Sequence, residues 1–358
     1  MALVYMDGFD TYKINSDIDM AYFSGPAGDG GVINSVTVGT TSGRFGGGAL
    51  YFGNYYSQIS KTFETGFTEM WMGNAFSVVS SLSDVNYMLY SFISILGFEG
   101  QITYNPVNGL WSAWLGNAQS ANETTGAIVQ ANYTMTNNSW HWIETYYKMG
   151  HNTGGVQLWV DGVQVLNVSN VTTNATVSTS FYIILFGSEQ GNASALSGYF
   201  DDIYIIDPTI GDVNITRLGD CRIETLLPTS DAGPNDGTPS TAGPHYAMVD
   251  ESQYNSNTYV QLSGASGQEE VYGTNSLSSV PEYIFGIRVV NVCKKTDGGT
   301  IYGNAVIRSG SATAYGDPVN ILSNYFIQTG IFEVDPNIGN AWVYETANAA
   351  DVGFTITS

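Results

Sequence analysis

The chain has 358 residues, room for two domains of ordinary size at ~150 residues each. Charged residues make up only 12%, and 10 Lys plus Arg against 32 Asp plus Glu leave a net charge of -22. Nucleic acid and anionic membranes are thereby excluded as partners, since both are bound through clustered cations and Lys294-Lys295 is the one adjacent basic pair.

The first residues, "MALVYMDGFDTYK", have neither a basic leader nor a long apolar run, so no signal peptide is expected, and no stretch is apolar enough to span a bilayer. Short runs of β-branched and aromatic residues then recur between Gly, Asn and Ser clusters, which predicts an all-β chain. Strands are expected within 48–53, 76–82, 87–98, 109–116, 139–149, 180–187 and 199–207. The clearest element is "GGVQLWVDGVQVLNVSNVT", residues 154–172, a hairpin turning at Asp161-Gly162, where positive φ angles suit a type I′ turn. Val156, Leu158 and Val160 share one face; Gln157, Trp159 and Asp161 share the other. Trp159 is a candidate sugar platform, read here as core packing.

After Asp207 the texture changes, and residues 208–251 hold five of the ten prolines. This predicts a linker or long loop over 211–250, with the boundary near Ile215, because Pro and Gly at that density oppose ladder formation. Further strands are expected within 257–264, 282–295, 301–310, 324–335 and at the C-terminus, with a short helical turn within 340–351. In the second of these, alternation gives two largely apolar faces and predicts a central strand of a second sandwich over 251–358.

The motifs "GRFGGGALYFG" (43–53), "WHWIETYYKM" (140–149), "VQLWVDGVQV" (156–165) and "GYFDDIYIID" (198–207) follow one another as in concanavalin A-like lectin and glucanase domains, the laminin-G-like group, which residues 1–210 resemble. The resemblance implies a jelly-roll sandwich. Its fusion to a β-rich C-terminal domain resembles surface proteins of tailed-bacteriophage virions. That likeness implies a structural or display role as a head fibre, decoration or tail appendage, with virion localisation and other virion proteins as partners. It further implies a homo-oligomer, taken as a trimer, anchored by residues 251–358 and attaching to host-surface glycans. The alternatives are a lectin without a structural role and a polysaccharide depolymerase with a site assembled from separate strands.

Enzyme activity is not expected from the motifs. A glycosidase of this fold needs carboxylates on one strand face, and the acidic pairs Asp201-Asp202, Asp250-Glu251 and Glu269-Glu270 are adjacent, so alternation sends them to opposite faces. His141, His151 and His245 accompany no nucleophile elbow; His141 is read as packing and His245 as a loop residue without a recognisable partner. Tyr55, Tyr56, Trp71, Trp111 and Trp114 are the candidate glycan platforms. The resemblance also implies a calcium ion held by Asp201 and Asp202 with Asp7 or Asp10, oxygen ligands of the kind calcium takes. Cys221 and Cys293 lack zinc or disulfide-framework spacing and are read as buried thiols, their pairing left open. The Asn-x-Ser/Thr triplets at Asn122, Asn132, Asn167, Asn170, Asn174 and Asn214 are attributed to composition.

Overall fold

A computed structural model describes residues 1–12, 36–53, 58–80, 87–116, 127–187 and 197–357. The chain is all-β and divides into two compact units, one built mainly from Ala2–Asp10 and the described residues up to Ile223, the other from Glu224 onward.

The N-terminal unit is a sandwich of two antiparallel sheets. The eight-stranded sheet runs in the order Val163–Val171, Gly154–Val160, Trp140–Lys148, Glu69–Ser80, Ser197–Ile206, Ala49–Phe52 and Val36–Gly39, with Leu3–Asp7 paired to Ser197–Ile206. The six-stranded sheet runs Gln58–Phe67, Phe181–Gly187, Tyr87–Ser94, Gly97–Asn105, Leu110–Leu115 and Ala127–Asn132. Period-2 alternation sends Phe76, Tyr147 and Phe200 from the first sheet inward, where Tyr147 stacks on Phe92 at 4.0 Å and Phe200 meets Tyr90 and Phe186 edge-on. The turn at Asp161-Gly162 has the expected positive φ at both residues, 51° and 78°. Val156, Leu158 and Val160 are fully buried, as their alternation requires.

The C-terminal unit carries a six-stranded sheet ordered Pro228–Asn235, Glu269–Thr274, Asp351–Ile356, Tyr302–Ser309 and Ala312–Tyr315, with Val319–Asn320 on the edge of Tyr302–Ser309. A ribbon of Ile287–Cys293 and Phe326–Phe332 encloses a core of Val289, Ala305, Ile307, Phe332 and Trp342, and the helix Tyr344–Asn348 contributes Ala347.

Two expectations are corrected here. Residues 211–250 are not a linker: 211–223 belong to the N-terminal unit, and Pro228–Asn235 forms a ladder with Glu269–Thr274. Proline is tolerated there because the strand lies at the sheet edge, where one row of N–H groups has no ladder partner to lose. Nor is Ile287–Cys293 a central strand, since among the described residues it pairs only with Phe326–Phe332 and leaves Val290 40% and Val292 38% exposed.

Candidate functional site

Pairing registers fix which side chains share the outer face of the eight-stranded sheet. One row across five strands is Gln164, Trp159, Glu144, Gly73 and Tyr204; the next is Asn167, Gln157, Tyr146, Trp71 and Ile206; Lys148 and Glu69 follow. Gly73 is required in its row, because a Cβ there would overlap the Tyr204 ring that lies across it. The Trp71 ring lies 5.0 Å from Tyr146 and 5.4 Å from Trp159, forming one aromatic cluster. Trp159, Tyr146 and Gln157 are half-buried and Gln164 and Asn167 exposed, so the cluster opens to solvent between amide side chains.

Residues 217–223 cross this face and are held by side chains of the sheet. Glu144, fully buried, accepts Arg217 Nη1 at 2.6 Å, the Gly219 N–H at 2.8 Å and the Tyr204 hydroxyl at 2.8 Å. The Arg217 guanidinium also lies 4.9 Å over Trp159. Tyr204 accepts the Leu218 N–H, Asp202 accepts the Ile223 N–H at 2.7 Å, and Arg44 forks onto Asp220 at 2.5 and 2.6 Å. Lys148 sits 3.8 Å from Glu69, which also accepts the Tyr146 hydroxyl. Burial, and then that bond to a carboxylate, raises the Tyr146 phenol well above its ordinary range, so it remains a proton donor. Glu69 and Glu144 share the face but lie four register positions apart, roughly 13 Å at ~3.3 Å per residue. Glycosidase carboxylates stand ~5–9.5 Å apart, so these two do not form such a pair.

Of the glycan platforms named from sequence that lie among the described residues, Trp71 alone reaches this face, as the 9% exposed floor of the cluster. Trp111 is fully buried against Tyr104 and donates to the Tyr133 carbonyl, while Trp114, 3% exposed, donates to Thr103; neither is available as a platform. Tyr55 and Tyr56 lie outside the described residues. Trp159, read as core, stands on the outer face instead.

The aspartates named for calcium, Asp7, Asp201 and Asp202, have hydrogen-bond partners within the chain. Asp202 takes φ 51°, and the register slips between Asp201 and Tyr204, so a bulge buries both aspartates instead of sending one to each face. Asp201 accepts the Arg44 and Asp202 N–H groups, and Asp7 accepts the Phe9 N–H and Tyr5 hydroxyl. Asp202 Oδ2 is the buried oxygen of the pair without a hydrogen bond, and Arg44 Nη1 stands 4.0 Å from it. Calcium takes six to eight oxygens, whereas most of these are occupied by N–H donors and the positive charge comes from arginine. Among the described residues no group of three or more His, Cys, Asp or Glu is arranged to hold a metal ion. Burial, then the Asp202 charge, pushes Asp201 up to about 8, and burial pushes Asp202 up to about 6.

His141 has both ring nitrogens engaged, Nδ1 with Asp161 at 2.6 Å and Nε2 with the Thr136 backbone, in keeping with a structural role. His245 does have a partner: its Nδ1 meets Glu270 at 3.0 Å, and Glu270 also accepts the Tyr272 hydroxyl and the Gly237 N–H. Cys221 and Cys293 are half-buried free thiols, and burial pushes Cys293 up to about 12.

No family model matches the chain, and no curated protein matches it in sequence. Solved structures show a partial likeness. An endo-β-1,4-glucuronan lyase from the fungus Trichoderma reesei is similar at 16% identity and a TM-score of 0.41, covering 57% of this chain and 95% of that one. An alginate lyase matches at 11% and 0.40, covering 56% and 95%. A domain of an extracellular arabinanase from Geobacillus stearothermophilus, solved with arabinotriose, matches at 15% and 0.37, covering 57% and 92%. These are sugar-binding or sugar-processing β-sandwich proteins. The expectation that the chain is no enzyme is corrected by these matches, two of which are polysaccharide lyases. All three TM-scores lie below 0.5, and the chemistry must come from this chain's own side chains.

Proposed function

We propose that the N-terminal unit binds glycans on the outer face of its eight-stranded sheet, within a protein displayed on a tailed-bacteriophage particle. The observation that carries the binding is the Trp159, Trp71 and Tyr146 cluster, half-open to solvent and bordered by Gln157, Gln164 and Asn167. Sugar rings present C–H faces to aromatics and hydroxyls to amides, which donate and accept equally well. Display is supported by the order of the sequence motifs and the β-rich C-terminal part, which would anchor or oligomerise the chain against other virion proteins. Weak single-site affinity multiplied by repetition would then suffice for attachment to a host surface.

Affinity electrophoresis of the full chain through host-surface polysaccharide tests the binding: retardation is expected, and Trp159→Ala should abolish most of it. Reducing ends measured in the same incubations report cleavage, and steady release would make the face an active site. Labelled antibody on purified particles tests display.

A further inference from the structure

We infer that this face selects uncharged glycans, and that Glu69 and Glu144 impose the selection by cancelling the cations that would otherwise recruit a sugar carboxylate. The inference rests on the glycan-binding reading above. Among the described residues Lys148 stands on the face, Arg217 and Arg222 come from the crossing segment and Arg44 lies over Trp142; three are met by a carboxylate, Arg217 by Glu144 at 2.6 Å, Lys148 by Glu69 at 3.8 Å and Arg44 by Asp220 at 2.5 Å, while Arg222 lies 4.9 Å over Phe45 and acts electrostatically on Asp202. Glu144 is held fast. It has no exposed surface, and its Tyr204 and Gly219 donors fix the orientation from which it grips Arg217. A uronate or sialate arriving at Arg217 would displace no water-exposed counterion; it would have to compete with a preorganised buried carboxylate. It would also approach a chain of net charge -22.

A neutral sugar meets no such opposition. The groups free to turn toward it are the amides Gln157, Gln164 and Asn167 and the hydroxyl of Ser169, of which Gln164, Asn167 and Ser169 are exposed. These recognise hydroxyls without reference to charge. Glu69 and Glu144 therefore act as specificity-determining residues through the cations beside them.

The test compares binding of the full chain to neutral polymers, β-glucan and arabinan, with binding to polygalacturonate and alginate. Neutral polymers are expected to bind at least about tenfold more tightly, with an affinity that changes by less than about twofold as salt rises from roughly 0.02 to 0.3 M, because no ion pair is formed. Glu69→Gln leaves a half-exposed ammonium beside Tyr146 and should move the uronate-to-neutral affinity ratio by about tenfold toward uronate. Adding Lys148→Met to that variant should restore the original ratio. Glu144→Gln should act in the same direction at Arg217, and Glu69→Gln keeps the test open should the buried variant fail to fold. Tighter wild-type binding of uronates than of neutral polymers, or an unchanged ratio in Glu69→Gln, overturns the selection while leaving glycan binding intact. Absence of binding to all four polymers overturns the glycan-binding reading and the selection with it.

Discussion

Trp111 and Trp159 are chemically alike, yet truncation should separate them cleanly. Trp111 fills the interior at 0% exposure, so Trp111→Ala is expected to cost ~3–5 kcal/mol of stability, read as a lower denaturant midpoint. Trp159 touches Trp71 and Arg217 at the surface, contacts worth ~0.5–1.5 and ~0.5–2 kcal/mol, so Trp159→Ala should keep the fold and lose glycan affinity. A third residue-scale expectation concerns pH. Asp201 and Asp202 have folded values raised above the unfolded ~3.9, so the folded unit holds their protons more tightly than the unfolded chain. Their contribution to stability is complete below about pH 4 and is lost as pH rises through about 6 and then about 8. Replacing both by Asn should flatten that part of a melting-temperature profile, and chelator should leave the wild-type profile unchanged.

Elements differ in how plainly the sequence announces them. The hairpin around Asp161-Gly162 was legible because the turn dipeptide and flanking alternation agree, and the turn is further fixed by Asp161 accepting the Trp142 N–H at 2.9 Å. The strand containing Asp201 and Asp202 was legible as a strand but not in its faces, since one left-handed aspartate shifts every later side chain by one position. Alternation also failed to sort the tryptophans of Leu110–Leu115: Trp111 and Trp114 point to opposite faces, but Ser91, Gln101 and Ser112 are buried beside Trp114, so that sheet shows no open stripe. The pairs Arg217–Glu144 and His245–Glu270 span 73 and 25 residues, and no local spacing rule reaches them. Glu144 itself lay within a quoted motif; what marks it is its row, with Gly73 leaving space for Tyr204. Gly73→Ala is accordingly expected to push the Tyr204 ring aside and destabilise the unit by ~1–3 kcal/mol, measured by thermal melting.

At the scale of the whole molecule, the partition falls between Ile223 and Glu224, later than composition suggested, because carboxylates of the eight-stranded sheet claim the residues up to Ile223. A fragment of residues 1–223 should therefore melt cooperatively alone, whereas one ending at residue 210 should lose stability, since Glu144, Tyr204 and Asp202 would lose Arg217 and the Leu218, Gly219 and Ile223 N–H groups. With -22 formal charges, added salt should raise the melting temperature of the intact chain by screening self-repulsion. The crossing segment has one more consequence, for how this surface tolerates sequence drift. Leu218, Gly219 and Ile223 are held through their backbone N–H groups, a feature nearly every amino acid shares, while Tyr204, Glu144 and Asp202 receive them through particular side-chain oxygens. Saturation mutagenesis should accordingly find positions 218 and 223 permissive and their three receptors nearly fixed, a host surface that can vary what it shows without loosening what holds it down.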